Sequence, residues 1–379
     1  MRIRESWANR LILKSGTGNI KNTPMKSDNL PAGVMKKLHE GVVIPALPLA
    51  LNSSRKLDER RQRALIRYYL DTGAGGIAVA VHTTQFAIRN PEVGLFAPLL
   101  DIAREEFDRF ASVNGKPVIR IAGAMGKTDQ ALKETGMALE KGFHAVLLNV
   151  NAFRGAENKE IIKHCKKIAE LLPVFGFYLQ PAVGGIILNV DFWREFAAIE
   201  NVIAIKIAPF NRYQTFDVIR GVVESGRADK IALYTGNDDT ILVDLLSEYS
   251  IEFKGKTIKK RIVGGLLGHW AVWTQRAVQL LESVHAGEYD QDIRKTMSLA
   301  NQITDCNAAF FDARNDFAGC IVGLHEVLRR QGLFEGTWTL NPAEVLSPGQ
   351  KEEIDRVYRS YTHLNDDSFV RENLDRWLI

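Results

Sequence analysis

Eight short apolar runs recur through the middle of the chain, and no other feature narrows the fold as far. They are Val42–Ala46, Gly76–Val81, Pro117–Ala122, Ala145–Leu148, Val174–Tyr178, Val202–Lys206, Ile231–Thr235 and Arg261–Gly265, separated by roughly 25 to 40 residues. Continuous apolar runs of this length read as strands buried on both faces. Between them lie segments with helical spacing, such as Asp58–Leu70, Thr128–Glu140, Asn158–Leu172 and Phe216–Glu224. Glycines such as Gly73 and Gly142 stop several of these, as helix C-termini require. Eight strand–helix units with buried strands predict an α/β fold, a (β/α)8 TIM barrel over residues 41–287. A doubly wound open sheet is the rival; it shows fewer repeats and a phosphate fingerprint after its first strand, which is absent here.

Outside the barrel the rhythm fails. Residues 1–40 carry no sustained period and read as an N-terminal extension, loose or packed on something else, with Met25 as an alternative start. Beyond residue 288 the segments Gln291–Asp312, Cys320–Gln331 and Ser347–Tyr361 predict a C-terminal helical region reaching to 379. Its end, Trp377-Leu378-Ile379, is a candidate to dock on the barrel or on a second subunit.

Bulk properties exclude several classes of function. A net charge of +4 over 379 residues is too weak a field for nucleic-acid binding. The densest basic run, Lys254–Arg261, has no aromatic to stack a base and reads as a solvated loop. No apolar run approaches the length of a membrane span, and the first residues lack a signal-peptide core. Three cysteines without framework spacing suit a reducing compartment, so the expected location is the cytoplasm.

Chemistry in a barrel gathers where the strands end at their C-terminal tips. The run Val202–Lys206 carries Lys206 at its tip, and Pro209 closes it three positions later. Such a lysine either snorkels to water or is desolvated, and a desolvated amine is a nucleophile toward carbonyls near neutral pH. Tyr178 lies one strand–helix unit earlier, so the two tips cap neighbouring strands about 4.8 Å apart. A phenol beside an amine suits imine formation, because the phenol can move the proton that lets water leave. The remaining tips offer His82, Thr83, Thr84, Gly236, Asp238, Asp239 and Gly265. Each also has a structural reading. The threonines suit a turn or cap, and the aspartates suit the start of the next helix. Gly264, Gly265 and Gly268 suit close packing or a phosphate loop. His82 and His269 lack the partner spacing of a metal site, so no metal is expected.

The order Thr83-Thr84, Tyr178 with Pro181 and Gly185, Ile205-Lys206 and Gly236-Asn237-Asp238-Asp239 resembles the dihydrodipicolinate synthase and N-acetylneuraminate lyase family. Gly41–Leu47 and Val345–Pro348 fit the same pattern, and the resemblance covers residues 41–361. It implies a homo-oligomer, tetramer or dimer, of barrels running Schiff-base chemistry on pyruvate or another 2-oxo acid. No cofactor is implied beyond the covalent imine with Lys206. By position Lys206 resembles the imine-forming lysine, Tyr178 the proton-shuttling tyrosine and Thr83 the hydroxyl relay. Thr84 with Thr83 resembles the carboxylate pocket, and Gly236–Asp239 the loop that meets the distal part of the substrate.

Departures from the pattern are as informative. The stretch Asn149–Arg154 has no tyrosine where the synthases usually carry a tyrosine pair. Val183 falls where they carry the arginine that anchors the acceptor's carboxylate, and valine cannot replace a bidentate guanidinium. His82, Phe86, Phe153, Arg154, Val183 and His269 are expected to shape the second half of the pocket. The expected function is a Schiff-base lyase or aldolase acting through Lys206, not a true dihydrodipicolinate synthase. An imine-dependent sugar-acid dehydratase or decarboxylase and a non-catalytic metabolite-binding barrel are the alternatives.

Overall fold

Strands that are apolar on both faces need a core on each side, and a closed barrel inside a ring of helices supplies two. A computed structural model describes residues 23–379; residues 1–22, including Gly16 and Gly18 of the expected extension, lie outside the described residues. The barrel strands are β1 (Val43–Pro45), β2 (Gly76–Val79), β3 (Ile119–Ala124), β4 (Ala145–Leu148), β5 (Val174–Tyr178), β6 (Val202–Ile207), β7 (Ala232–Thr235) and β8 (Gly264–Leu267). They pair in parallel in the order β1-β8-β7-β6-β5-β4-β3-β2. A parallel bridge between Ala46 and Ala78 joins β1 to β2, completing the (β/α)8 barrel.

Helix α1 (Val34–Glu40) precedes the barrel, and α2 (Glu59–Asp71), α3 (Phe96–Asn114), α4 (Thr128–Glu140), α5 (Asn158–Ala169), α6 (Val190–Ala197), α7 (Arg212–Glu224) and α8 (Ile241–Leu246) connect its strands. Side-chain caps fix where several begin: Asp58 accepts from Arg61 N, Asn189 from Phe192 N, and Asn211 from Tyr213 N and Gln214 N. After β8 come α9 (Thr274–His285), α10 (Ile293–Phe310), α11 (Cys320–Arg330), α12 (Gln350–Ser360) and α13 (Asp367–Trp377).

The two ends of the barrel differ. At the N-terminal end α1 inserts Val34 and Leu38 into the interior core beside Ile44, Ile119 and Phe175. The Tyr234 hydroxyl donates to Leu38 O at 2.9 Å, so this end is plugged. At the C-terminal end α10 and α11 lie over the strand tips, as the next subsection describes. The tail docks on the barrel: Trp377 is buried, its indole N–H donates to Asp71 Oδ2 at 2.6 Å, and its ring lies 5.4 Å from that of Tyr68.

Two expectations are corrected. The eighth strand runs over Gly264–Leu267, not Arg261–Gly265. The basic stretch is no loop but half of an antiparallel hairpin, Lys256–Arg261 paired with Glu248–Phe253. Tyr249 and Ile251 alternate inward while Glu248, Ser250 and Glu252 face out, which is a period of two. Lys254 and Gly255 both take positive φ, the geometry of a tight hairpin turn.

Candidate active site

One inserted residue decides what faces Lys206. Val202 pairs with Val174, but Ala204, not Ile203, pairs with Phe175, so β6 carries a bulge at its start. A one-residue slip moves every later side chain to the other face. Lys206 is therefore opposite Phe177, and Tyr178 is opposite Ile207. The Lys206 ammonium lies 4.6 Å from the centre of the Phe177 ring, inside the barrel mouth. Tyr178 turns the other way, into the layer between barrel and helices. Its hydroxyl donates to Leu188 O at 3.3 Å and accepts from Leu188 N at 3.2 Å, and its ring lies 5.1 Å from Trp193 of α6. The expected amine–phenol pair is not assembled.

Lys206 is 8% exposed, and burial lowers its amine to about 8, although the Asp238 carboxylate opposes that shift. No hydrogen bond or ion pair engages its Nζ among the described residues. Gly236 makes room for it: a Cβ there would sit 2.6 Å from Lys206 Cε. Asp238, 7% exposed, follows two residues later on the tip of β7. Burial pushes its carboxyl up to about 7, against the His269 N–H, which donates to Oδ1 at 3.0 Å, and against the Lys206 charge. Burial and the Lys206 charge hold His82 down at about 4, so its imidazole is neutral at pH 7. Thr83 lines the same cavity and donates to Ala46 O at 2.8 Å.

The cavity above these groups is about 70 Å³, enough for several water molecules or a small organic acid. Its floor and near wall are Lys206, Asp238, His82, Thr83 and Phe177. Leu179, Gln180 and Val183 form one side, and Phe210, Phe311, Phe317, Ile321 and Leu324 line its roof. Cys320 also faces in, but burial pushes its thiol up to about 12, so it supplies no thiolate.

Several expected residues do not line this cavity. The Thr84 hydroxyl is spent on the turn, donating to Leu47 O at 2.6 Å and accepting from Val81 N at 3.1 Å. Asp239 lies beyond the cavity, its peptide oxygen bound by Thr304. Gly265 is a packing glycine: a Cβ there would meet the Trp270 ring at 2.5 Å. His269 touches the site only through its peptide N–H on Asp238. Arg154 binds the Gly184 and Gly185 carbonyls, which steadies the segment that carries Val183, while Phe86 and Phe153 stay outside.

Phe177 and the roof residues Phe210, Phe311, Phe317, Ile321 and Leu324 escaped the sequence reading. A bulge leaves no signature in composition, and the roof residues look like ordinary helix-packing positions. Counting alternate residues inward from Lys206 would have found Phe177 only with the correct register in hand.

The family model described as the dihydrodipicolinate synthetase family matches residues 40–251. N-acetylneuraminate lyase 2 of Escherichia coli O6:H1 is 22% identical over 317 residues, 83% of this chain and 90% of that protein. The 4-hydroxy-tetrahydrodipicolinate synthase of Staphylococcus saprophyticus is 27% identical over 217 residues, 55% of this chain and 66% of that one. Among solved structures, dihydrodipicolinate synthase from Oceanobacillus iheyensis superposes with a TM-score of 0.69 at 17% identity, covering 87% of this chain and 99% of that one. A prophage protein of the dihydrodipicolinic acid synthase family from E. coli K12, in complex with pyruvate, gives 0.67 at 18% identity, covering 85% and 98%. At these identities the structural likeness speaks for the fold.

Proposed function

The chain belongs to the dihydrodipicolinate synthetase family, and on that premise we propose that it is a class I aldolase or lyase. It joins its Lys206 amine to the C2 carbonyl of pyruvate or a close 2-oxo acid. The observation that carries this reading is a buried amine with no hydrogen-bond partner among the described residues, lowered to about 8, at the floor of a cavity. The neutral amine attacks C2 and gives a carbinolamine. Loss of its hydroxyl as water leaves a protonated imine, which accepts the electron pair when a bond at C3 breaks.

Tyr178 is turned away, so the proton work falls to another group. Asp238 is the candidate: it faces the same cavity, interacts with the Lys206 charge, and its carboxyl at about 7 is protonated in a useful fraction near neutral pH. It gives its proton to the carbinolamine hydroxyl as the C–O bond breaks, and as a carboxylate it can take a proton from C3. The substrate carboxylate sits at the start of the His82–Thr84 turn, where the first peptide N–H groups have no preceding turn to bond and Thr83 lines the wall.

Exchange at the pyruvate methyl group tests this without knowledge of the second substrate. Imine formation acidifies C3, so the protein should catalyse deuterium uptake from D2O, read by proton NMR, and Lys206→Ala should reduce it to the uncatalysed rate. No exchange by the wild type would leave a barrel that only binds metabolites.

A further inference from the structure

The floor and the roof of the cavity are built from different chemistry. Every ionisable group of the floor lies within reach of the Lys206 amine, where C1 to C3 of a 2-oxo acid would be held. Above it, Val183, Phe210, Phe311, Phe317, Ile321 and Leu324 present hydrocarbon. Lys206 is the only lysine or arginine lining the cavity among the described residues. The roof is also held deliberately. Asp312, Asp316 and Phe317 all take left-handed backbone conformations, as does Phe210 opposite them, and none is glycine. Such conformations persist only where the surroundings enforce them. Here Asp312 accepts from Asn315 Nδ2 at 2.7 Å and Gly319 N at 3.0 Å. Gln350 of α12 donates to Phe310 O and Gly319 O at 3.3 and 3.1 Å. The result sets the Phe317 ring edge-to-face with Phe210 at 5.7 Å, directly over the pocket.

We propose that the second half of the substrate is an apolar aldehyde, aromatic or branched-alkyl, seated under Phe210 and Phe317. This rests on the Lys206 reading above and extends it. A carboxylate-bearing aldehyde would meet no second cation under this roof, and a buried anion without a partner is expelled. Beyond the His82, Thr83 and Asp238 side chains of the floor, only Gln180 and Cys320 add polar side chains to the lining, so a polyhydroxylated aldehyde would leave hydroxyls against hydrocarbon, each unmade bond costing affinity. An aromatic ring instead removes apolar surface from water on both sides and meets ring edges.

The reaction balances without an external oxidant or reductant. The enamine on Lys206 uses its C3 electron pair to form a C3–C4 bond to the aldehyde carbon. The carbonyl π pair moves to oxygen, which takes the Asp238 proton. Water then adds to C2 of the iminium, the amine leaves, and a 4-hydroxy-2-oxo acid is released. Cleavage runs through the same steps in reverse.

The test uses the full chain with pyruvate and three aldehydes, namely benzaldehyde, D-glyceraldehyde and succinic semialdehyde, with adducts measured by liquid chromatography and mass spectrometry. The expected result is a kcat/KM for benzaldehyde about 100-fold above either of the others. Phe317→Ala, or Phe210→Leu should the first variant fail to fold, should shrink that preference at least tenfold. Equal or better use of the hydroxylated or charged aldehyde overturns the proposal, and so does a preference that survives both variants. Methyl exchange with no aldehyde turned over also overturns it while sparing the Lys206 chemistry; absence of exchange removes both.

Discussion

Lys206 and Lys260 stand at different places on one barrel, and both are lowered to about 8, chiefly by burial. Lys260 leaves the hairpin and donates to Ala228 O and Ile231 O at 2.5 and 2.6 Å, tying the hairpin to the segment that enters β7. Among the described residues Lys206 Nζ has no hydrogen-bond acceptor, and it looks into a cavity shared with Asp238. A depressed amine is therefore no mark of reactivity by itself. What separates the two is an amine not held by carbonyl acceptors, a void large enough for a ligand, and an acid across it. One lysine is a structural tie; the other is the amine that the proposed chemistry uses.

The sharpest break of that comparison is substitution of each lysine. Lys206→Ala should lower turnover of any 2-oxo acid substrate about 10⁴-fold or more, since the covalent step is lost. Lys260→Ala should leave it within about threefold and lower the unfolding temperature, because two carbonyls lose their donor. Equal losses would erase the distinction.

Next in size is Asp238→Asn, expected to slow imine formation about 100- to 1,000-fold by stopped-flow absorbance. Its pH profile gives the sign. With the wild type, the active form of the Lys206–Asp238 pair carries one proton between them, so the rate is bell-shaped, with limbs near 7 and 8. Asp238 raises the amine pKa, so its removal should leave a single rising limb centred below 8. An unchanged bell would assign the proton transfer elsewhere.

Gly236→Ala sharpens the same contrast from the packing side. The new methyl meets Lys206 Cε at 2.6 Å and must displace it, with an expected loss of about 10- to 100-fold in methyl exchange and little change in fold by circular dichroism. The smallest catalytic effect is expected from Tyr178→Phe. It strips both Leu188 peptide groups of a partner, costing about 1–3 kcal/mol in denaturant unfolding, yet should leave the rate within about threefold. A hundredfold loss of rate would mean that the phenol reaches the amine after all.

The barrel was legible because eight doubly buried strands announce themselves by hydrophobicity alone, and Lys206 because it ends one of them. Tyr178 misled for an equally physical reason. The two residues are one repeat apart, and only a register slip inside β6, which no residue pattern announces, turns one in and the other out. The helices α10 and α11 could be drawn from periodicity, but not the surface they cover, so the roof came from structure alone. Asp238 was visible as a strand-tip residue; its burial opposite Lys206 was not. The hairpin was readable in retrospect, since Tyr249 and Ile251 alternate with polar residues, but its lysines dominate the eye.

Borohydride reduction of the protein with pyruvate, followed by proteolysis and mass mapping of both lysine-bearing peptides in one digest, probes the account most directly. It predicts a reduced pyruvyl adduct on the peptide holding Lys206 and none on that holding Lys260. An adduct confined to Lys260, shared evenly between the two, or absent from Lys206 would contradict it.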